Sequence, residues 1–366
     1  MSTPGEEIRK RLRDRGWTQA ELAQVLHRPI QTVNQIIQGK KAITPDMAAE
    51  LAAAFGAEPE MWMQLESQFR LSLTRIDPGP IQRRARLYDY APVKEMIRRG
   101  WIQRTESLEH QERDICEFFG VDSLNETPNI HAATRRANRA IPLSPAQAAW
   151  CSRVKQIGRA LQAPPLDSSG FNRTAKRLRE LAAYPEEVGH VSRILGEVGI
   201  RFVVVEPLTN MRMDGATIWL DDQSPVIAVS VQHDRMDNFW FTVFHEFSHV
   251  VHGDASIDDN LCGEGRTPSL VKEDEERNAD NEAAATLIPP DKLQSFIVRV
   301  GPLYSKTRII QFAHTMQIHP GIVVGQLRDR GEIGWYANRE MLVKIRGFVA
   351  ESSVTDGWGR TIGVSL

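Results

Sequence analysis

The run FWFTVFHEFSHVVHGD, residues 239–254, places three histidines and a glutamate in an otherwise apolar stretch. His245 and His249 are four residues apart, so on a helix their imidazoles share one face and can bind one metal ion. Glu246, the next residue, projects beside such an ion and is placed to take a proton from an attacking water. Two imidazoles leave zinc short of a third protein ligand. A histidine six residues after His249 would serve, but Ala255 stands there. About thirty residues downstream, KEDEERNADNEAAATLIPP offers an Ala-rich helix with Glu276 and Asp280 four apart. One of these carboxylates can complete the coordination while the other orients a ligand histidine from behind. Glu282 is a rival ligand. His252, seven residues after His245, is either an extra ligand or a helix-end histidine. His314 and His319 are the remaining histidines weighed for the site.

A second chemistry sits near the N-terminus. Gln31, Thr32, Asn34 and Gln35 fall in the first turns of the helix IQTVNQIIQGKK, which follows TQAELAQVL after the short turn HRP. Two helices joined by so short a turn form a helix-turn-helix, and the start of its second helix meets the major groove. Amide side chains there can pair bidentately with adenine edges. Gln19 opens the preceding helix, and Arg28, Lys40 and Lys41 flank the recognition helix, where they could neutralise phosphates.

The elements that must hold these groups are marked by caps and breaks. Thr18 with Glu21 is a capping box, Thr44 caps a helix that opens on Pro45, and Gly39 and Gly56 close helices. RIDPGP breaks the chain. A mostly helical stretch follows to about residue 196, and its Arg-rich turn ATRRANRA reads as solvated scaffold. The pattern then changes to three short strands, GIRFVVVEP, GATIWLDD and SPVIAVS, before the HEFSH helix, whose expected cap is Asp237 or Asn238. PVIAVS is the expected edge strand, able to hold an extended substrate by strand addition. The 366 residues suffice for two or three domains. No apolar run approaches the roughly 20 residues that span a bilayer, so no membrane association is expected. Three scattered cysteines and an N-terminus without an apolar signal core indicate a cytoplasmic chain with reduced thiols. With a net charge of −2, nucleic-acid binding must come from a local basic surface.

GWTQAELAQVLHRPIQTVNQIIQGKKAITPDMAAELAAAFGAEPEMWMQLESQF resembles the XRE-type helix-turn-helix of the HigA antitoxin family, which implies operator DNA binding as a homodimer and autoregulation. DNFWFTVFHEFSHVVHGD together with EERNADNEAAATLIPP resembles the ImmA/IrrE zinc metallopeptidases. The match runs through Phe241, Thr242, His245, Glu246, His249, Glu276, Ala279, Asp280, Ala283, Ala284, Leu287 and Pro289, and departs at Glu282, where that family usually has phenylalanine. The resemblance implies zinc held by His245, His249 and Glu276, with Asp280 behind a ligand imidazole and Glu246 as catalytic base. It also implies a protein substrate that is a specific repressor or antitoxin, whose cleavage relieves repression. The expected fold is α+β but mostly α. It comprises a helix-turn-helix bundle over 1–75, a helical scaffold over 81–196, a zincin-like core with a small sheet over 197–292, and a helical extension packed on that core over 293–366. The alternative is a HigA-like antitoxin or transcription factor whose peptidase-like part binds a partner or senses a ligand without catalysis.

Overall fold

The computed structural model describes residues 3–74, 77–128, 143–254, 256–258 and 274–363. Ala255, Cys262 and the Arg-rich turn at 133–140 lie outside them. The chain divides into two compact units, Met1–Gly79 and Pro80–Leu366.

The first unit holds α1 (Pro4–Arg15), α2 (Gln19–Val25), α3 (Ile30–Ile37), α4 (Pro45–Phe55) and α5 (Pro59–Leu73). Thr18 accepts the backbone N–H of Glu21 at 3.2 Å while the Glu21 carboxylate accepts that of Thr18 at 2.6 Å. This reciprocal pair satisfies N–H groups that a helix start leaves open. Thr44 caps α4 through the N–H of Met47, and Gly56 ends it with φ at +64°. Ile8, Leu22, Val33, Ile36, Leu51 and Trp62 close the core, none more than 3% exposed.

The second unit is built around a five-stranded sheet. Its helices before the sheet are α6 (Gly79–Tyr90), α7 (Val93–Arg98), α8 (Leu108–Phe119), α9 (Pro145–Ala160), α10 (Phe171–Leu181) and α11 (Val191–Gly196). The strands are β1 (Arg201–Val205), β2 (Gly215–Trp219), β3 (Pro225–Val229), β4 (Ser256–Asp258) and β5 (Thr355–Asp356), in the order β4-β2-β3-β1-β5. Between and after them come α12 (Met236–His252), α13 (Asp274–Leu287), α14 (Pro290–Val300), α15 (Lys306–Met316), α16 (Pro320–Asp329) and α17 (Arg346–Ser352). Side chains alternate across a strand, and the two faces feed two cores. Val203, Val205, Ala216, Ile218, Val226 and Ala228 meet α6–α9 through Leu87, Met96, Phe118, Trp150 and Val154. Phe202, Val204, Trp219, Ile227 and Val229 meet α12 together with α10, α11 and α14–α16. The mid-chain helices therefore do not form a separate scaffold but cover both faces of the sheet.

Two expectations are corrected here. PVIAVS is not an edge strand: β3 is parallel to β1 on one side and antiparallel to β2 on the other. With both rows of backbone groups taken, it cannot add a substrate strand. Periodicity identifies a strand but carries no information about its neighbours. The cap of α12 is neither Asp237 nor Asn238. The helix begins at Met236 with Arg235 at the cap and no side-chain cap bond. Asp237 instead accepts from Arg235 Nε at 3.1 Å, so its carboxylate is already engaged inside the first turn.

The C-terminal end is fastened to the sheet. Val204 N donates to Val354 O at 2.9 Å and Glu206 N to Asp356 O at 2.8 Å. The Asp356 carboxylate, fully buried, accepts from Arg153 Nε at 2.8 Å and from Trp101 Nε1 at 3.0 Å. Removing one partner of a buried ion pair leaves the other as an uncompensated charge, which costs about 3–5 kcal/mol. Asp356→Ala is accordingly expected to lose about that much stability in guanidinium unfolding. A loss below about 1 kcal/mol would mean that water reaches Arg153 and that the pair is not a buried anchor.

Candidate metal centre and nucleic-acid interface

The helix α12 is buried almost all round, its polar residues included. Phe239, Trp240, Val243, Phe244, Phe247 and Val250 are buried with the sheet and the surrounding helices. Gly253 closes it in the left-handed region, donating its N–H to the carbonyls of His249 and Val250. On its second side lies α13, whose buried face is Ala279, Ala283 and Leu287. Alanine at those positions lets the two axes approach. Glu276 and Asp280 share that stripe at helical spacing, so close packing carries both carboxylates to the imidazoles. Other elements fix α13 in place. Gln326 Nε2 donates to Ala284 O at 2.9 Å, and Arg179 donates to Thr286 O at 2.9 Å and Met316 O at 2.8 Å. The close passage of α16 over α12 requires Gly325, because a Cβ there would lie 2.6 Å from Asp237 Oδ2.

His245, Glu246 and His249 are at most 2% exposed. The Nε2 atoms of His245 and His249 are 3.0 Å apart. Two nitrogen lone pairs facing at that distance repel unless a proton or a cation lies between them. Glu276 Oε2 is 3.4 Å from His245 Nε2, and Glu276 Oε1 is 3.6 Å from His249 Nε2. Ligands 2.0–2.1 Å from one tetrahedral ion stand about 3.3 Å from each other, so the three separations bracket the required edge. Among the described residues these three form the one group of histidine, cysteine or carboxylate donors gathered this closely. Burial, and then the neighbouring His245, push the imidazole of His249 down to about 4, against the pull of Glu276. At neutral pH its lone pair is therefore available to a metal. Asp280 Oδ1 lies 3.1 Å from His245 Nδ1, the far side of the ring from Glu276. A carboxylate so placed fixes the orientation of a ligand imidazole. Two imidazoles and a carboxylate make a donor set suited to zinc with one position left for water or substrate.

The rivals are accounted for. Glu282 accepts from Ser248 Oγ at 2.6 Å and lies 3.0 Å from His252 Nε2, so each occupies the other away from the three donors. His252 is about half exposed at the end of α12. His319 caps α16, its Nδ1 accepting the N–H of Gly321 at 3.0 Å, and His314 faces outward from α15. One contact escaped the sequence: Thr217 Oγ1 on β2 lies 2.8 Å from Glu246 Oε2. A buried threonine in a strand gives no signal for it.

In the first unit, Gln31 and Gln35 are exposed one turn apart on α3, and Gln19, Lys40 and Lys41 are exposed as well. Gln38, outside the residues expected from the sequence, extends the amide stripe by three residues. Three expected contacts are less available. Arg28 is spent on a two-point pair with Glu50, Nη2 to Oε1 at 2.6 Å and Nε to Oε2 at 3.1 Å. Thr32 and Asn34 are half-buried, and the Asn34 amide oxygen is turned inward. Their place on α3 points them partly at the core, which spacing along the chain does not reveal.

A helix-turn-helix family profile matches residues 8–62. The chain is 30% identical over 69 residues to the uncharacterized HTH-type transcriptional regulator YddM of Escherichia coli K12, covering 19% of this chain and 73% of that protein. It is 29% identical over 79 residues to virulence-associated protein I of Dichelobacter nodosus, covering 21% of this chain and 73% of that protein. Among the described residues no helix is long and apolar enough to cross a membrane. The amide-bearing face of α3, its capped neighbours and these likenesses agree: through its N-terminal unit the chain belongs to the helix-turn-helix family of DNA-binding transcriptional regulators.

Proposed function

We propose that this DNA-binding regulator carries a zinc-dependent endopeptidase site in its second unit, and that it acts by cleaving a specific repressor or antitoxin. The observation that supports the hydrolase half is the convergence of His245 Nε2, His249 Nε2 and the Glu276 carboxylate. His245, His249 and Glu276 would hold the ion, and zinc bound there supplies Lewis acidity toward a water and a peptide carbonyl. The chain's own groups do the rest. Glu246 accepts the proton of the attacking water at its carboxylate and returns it to the nitrogen of the leaving amine. Asp280 holds the His245 ring in register. Burial of His245, Glu246 and His249 lowers the local dielectric and strengthens each of these electrostatic contacts. A regulator as substrate fits a hydrolase that shares its chain with a DNA reader, and homodimeric binding fits an operator of two half-sites.

Metal analysis of protein purified without chelator should find about one zinc per chain, falling severalfold in His249→Ala and Glu276→Ala. Glu246→Gln should keep the metal and lose hydrolysis by roughly 10²- to 10⁴-fold. Well-folded wild-type protein containing no metal would sink the hydrolase proposal. For the DNA half, a site selected in vitro by the wild type should bind Gln35→Ala about 5- to 100-fold more weakly, with sequence preference relaxed at one base pair. Lys40→Ala should instead weaken all sequences alike and reduce the salt slope by about one. Equal losses on selected and random DNA for Gln35→Ala would remove it from the reading face.

A further inference from the structure

The carboxylate of Glu246 lies against β2, and two positions of that strand make its seat. A Cβ added at Gly215 would lie 2.6 Å from Glu246 Oε1 and 2.6 Å from Thr242 Cγ2, so only glycine leaves the space that Oε1 fills. Two residues on, and therefore on the same face, Thr217 Oγ1 stands 2.8 Å from Glu246 Oε2. Ala216 and Ile218 point into the opposite core. A one-residue slip of β2 would put those side chains against α12 and destroy the seat. In the observed register Gly215 pairs with Val229 and Thr217 with Ile227, so both positions face α12.

We propose that β2 is the element that positions Glu246: Gly215 admits one carboxylate oxygen and Thr217 ties down the other, so the proton acceptor holds a single rotamer before substrate arrives. This rests on the hydrolase reading of Glu246, and Thr217 is a positioning residue that acts through it. The hydroxyl has one proton and two acceptors in reach, the carboxylate at 2.8 Å and the Glu246 main-chain carbonyl at 3.0 Å. The carbonyl already receives an N–H from the next turn of α12, whereas the side-chain oxygen is the nearer acceptor and has no such helical donor. The proton therefore belongs to the carboxylate.

The decisive test needs no substrate. Unfolding of the metal-free chain is compared for wild type, Thr217→Val, Glu246→Met and the double variant. Methionine keeps the main-chain carbonyl and loses the carboxylate, so the cycle isolates the side-chain bond. The expected result is a departure from additivity of about tenfold or more in the unfolding equilibrium constant. Additivity within about twofold would assign the hydroxyl to the main chain and overturn the proposal. With zinc-loaded protein and a pool of quenched fluorescent peptides, Thr217→Val should lower kcat about tenfold at unchanged KM and metal content, with Thr217→Ser restoring it. An unaffected kcat in Thr217→Val, from a wild type that cleaves, also overturns it. A wild type that binds zinc and cleaves no peptide defeats the hydrolase proposal instead, and the metal-free cycle still decides the seat.

Discussion

The arrangement of the second unit around α12 depends on polar groups buried on that one helix. Within 17 residues α12 carries His245, Glu246, Ser248 and His249, none more than 4% exposed. Buried polar groups without partners cost several kcal/mol in aggregate, so the fold must bring partners to them. It does so from two directions. Thr217 reaches Glu246 from β2, while Glu276, Asp280 and Glu282 reach the histidines and Ser248 from α13. Helix α12 on its own would be a poor helix to bury. Its partners are what allow it to sit between a sheet and a second helix.

The same constraint explains why α13 is so plain. A helix that must bring three carboxylates to a buried neighbour cannot also present large apolar side chains between them. Its inward positions alongside those carboxylates are Ala279 and Ala283, small enough to let the backbones close, and the larger Leu287 comes only at its end. What those alanines fail to supply in packing, side chains from elsewhere supply in hydrogen bonds, Gln326 and Arg179 binding carbonyls near its C-terminal end. Arginine beside the last carbonyls of a helix also meets the negative end of its dipole.

Much of this was legible in the sequence because it is local. Caps at Thr18 and Thr44, the stop at Gly56 and the three main strands follow from residue types and short spacings, and each appears where those signals fall. Helical spacing puts His245 with His249, and Glu276 with Asp280, on one face each, but left open which carboxylate stands nearer the Nε2 atoms; that it is Glu276 was implied only by the peptidase resemblance. What failed was information about neighbours. That β3 is interior, that Arg28 is taken by Glu50 and that Asn34 turns inward depend on elements distant in the chain. The strands β4 and β5, of three and two residues, are too short to carry a periodic signal. Thr217 belongs to the same class, since nothing in GATIW distinguishes a threonine facing a carboxylate from one facing solvent.

Glu282 shows how such distant information can be recovered once the packing is known. A carboxylate there departs from the phenylalanine that the peptidase resemblance leads one to expect, and on sequence it competes with Glu276 for the metal. In the fold it stands two residues beyond Asp280, turned off the stripe that faces the imidazoles. Ser248 and His252 lie on the matching side of α12 and converge on it. Burial raises the affinity of Glu282 for a proton, but the bonds from Ser248 and His252 outweigh it and hold its carboxyl below the usual carboxylate range. An anion held in this way has its oxygens committed. These bonds join the two helices at their exposed margin and leave His245, His249 and Glu276 together.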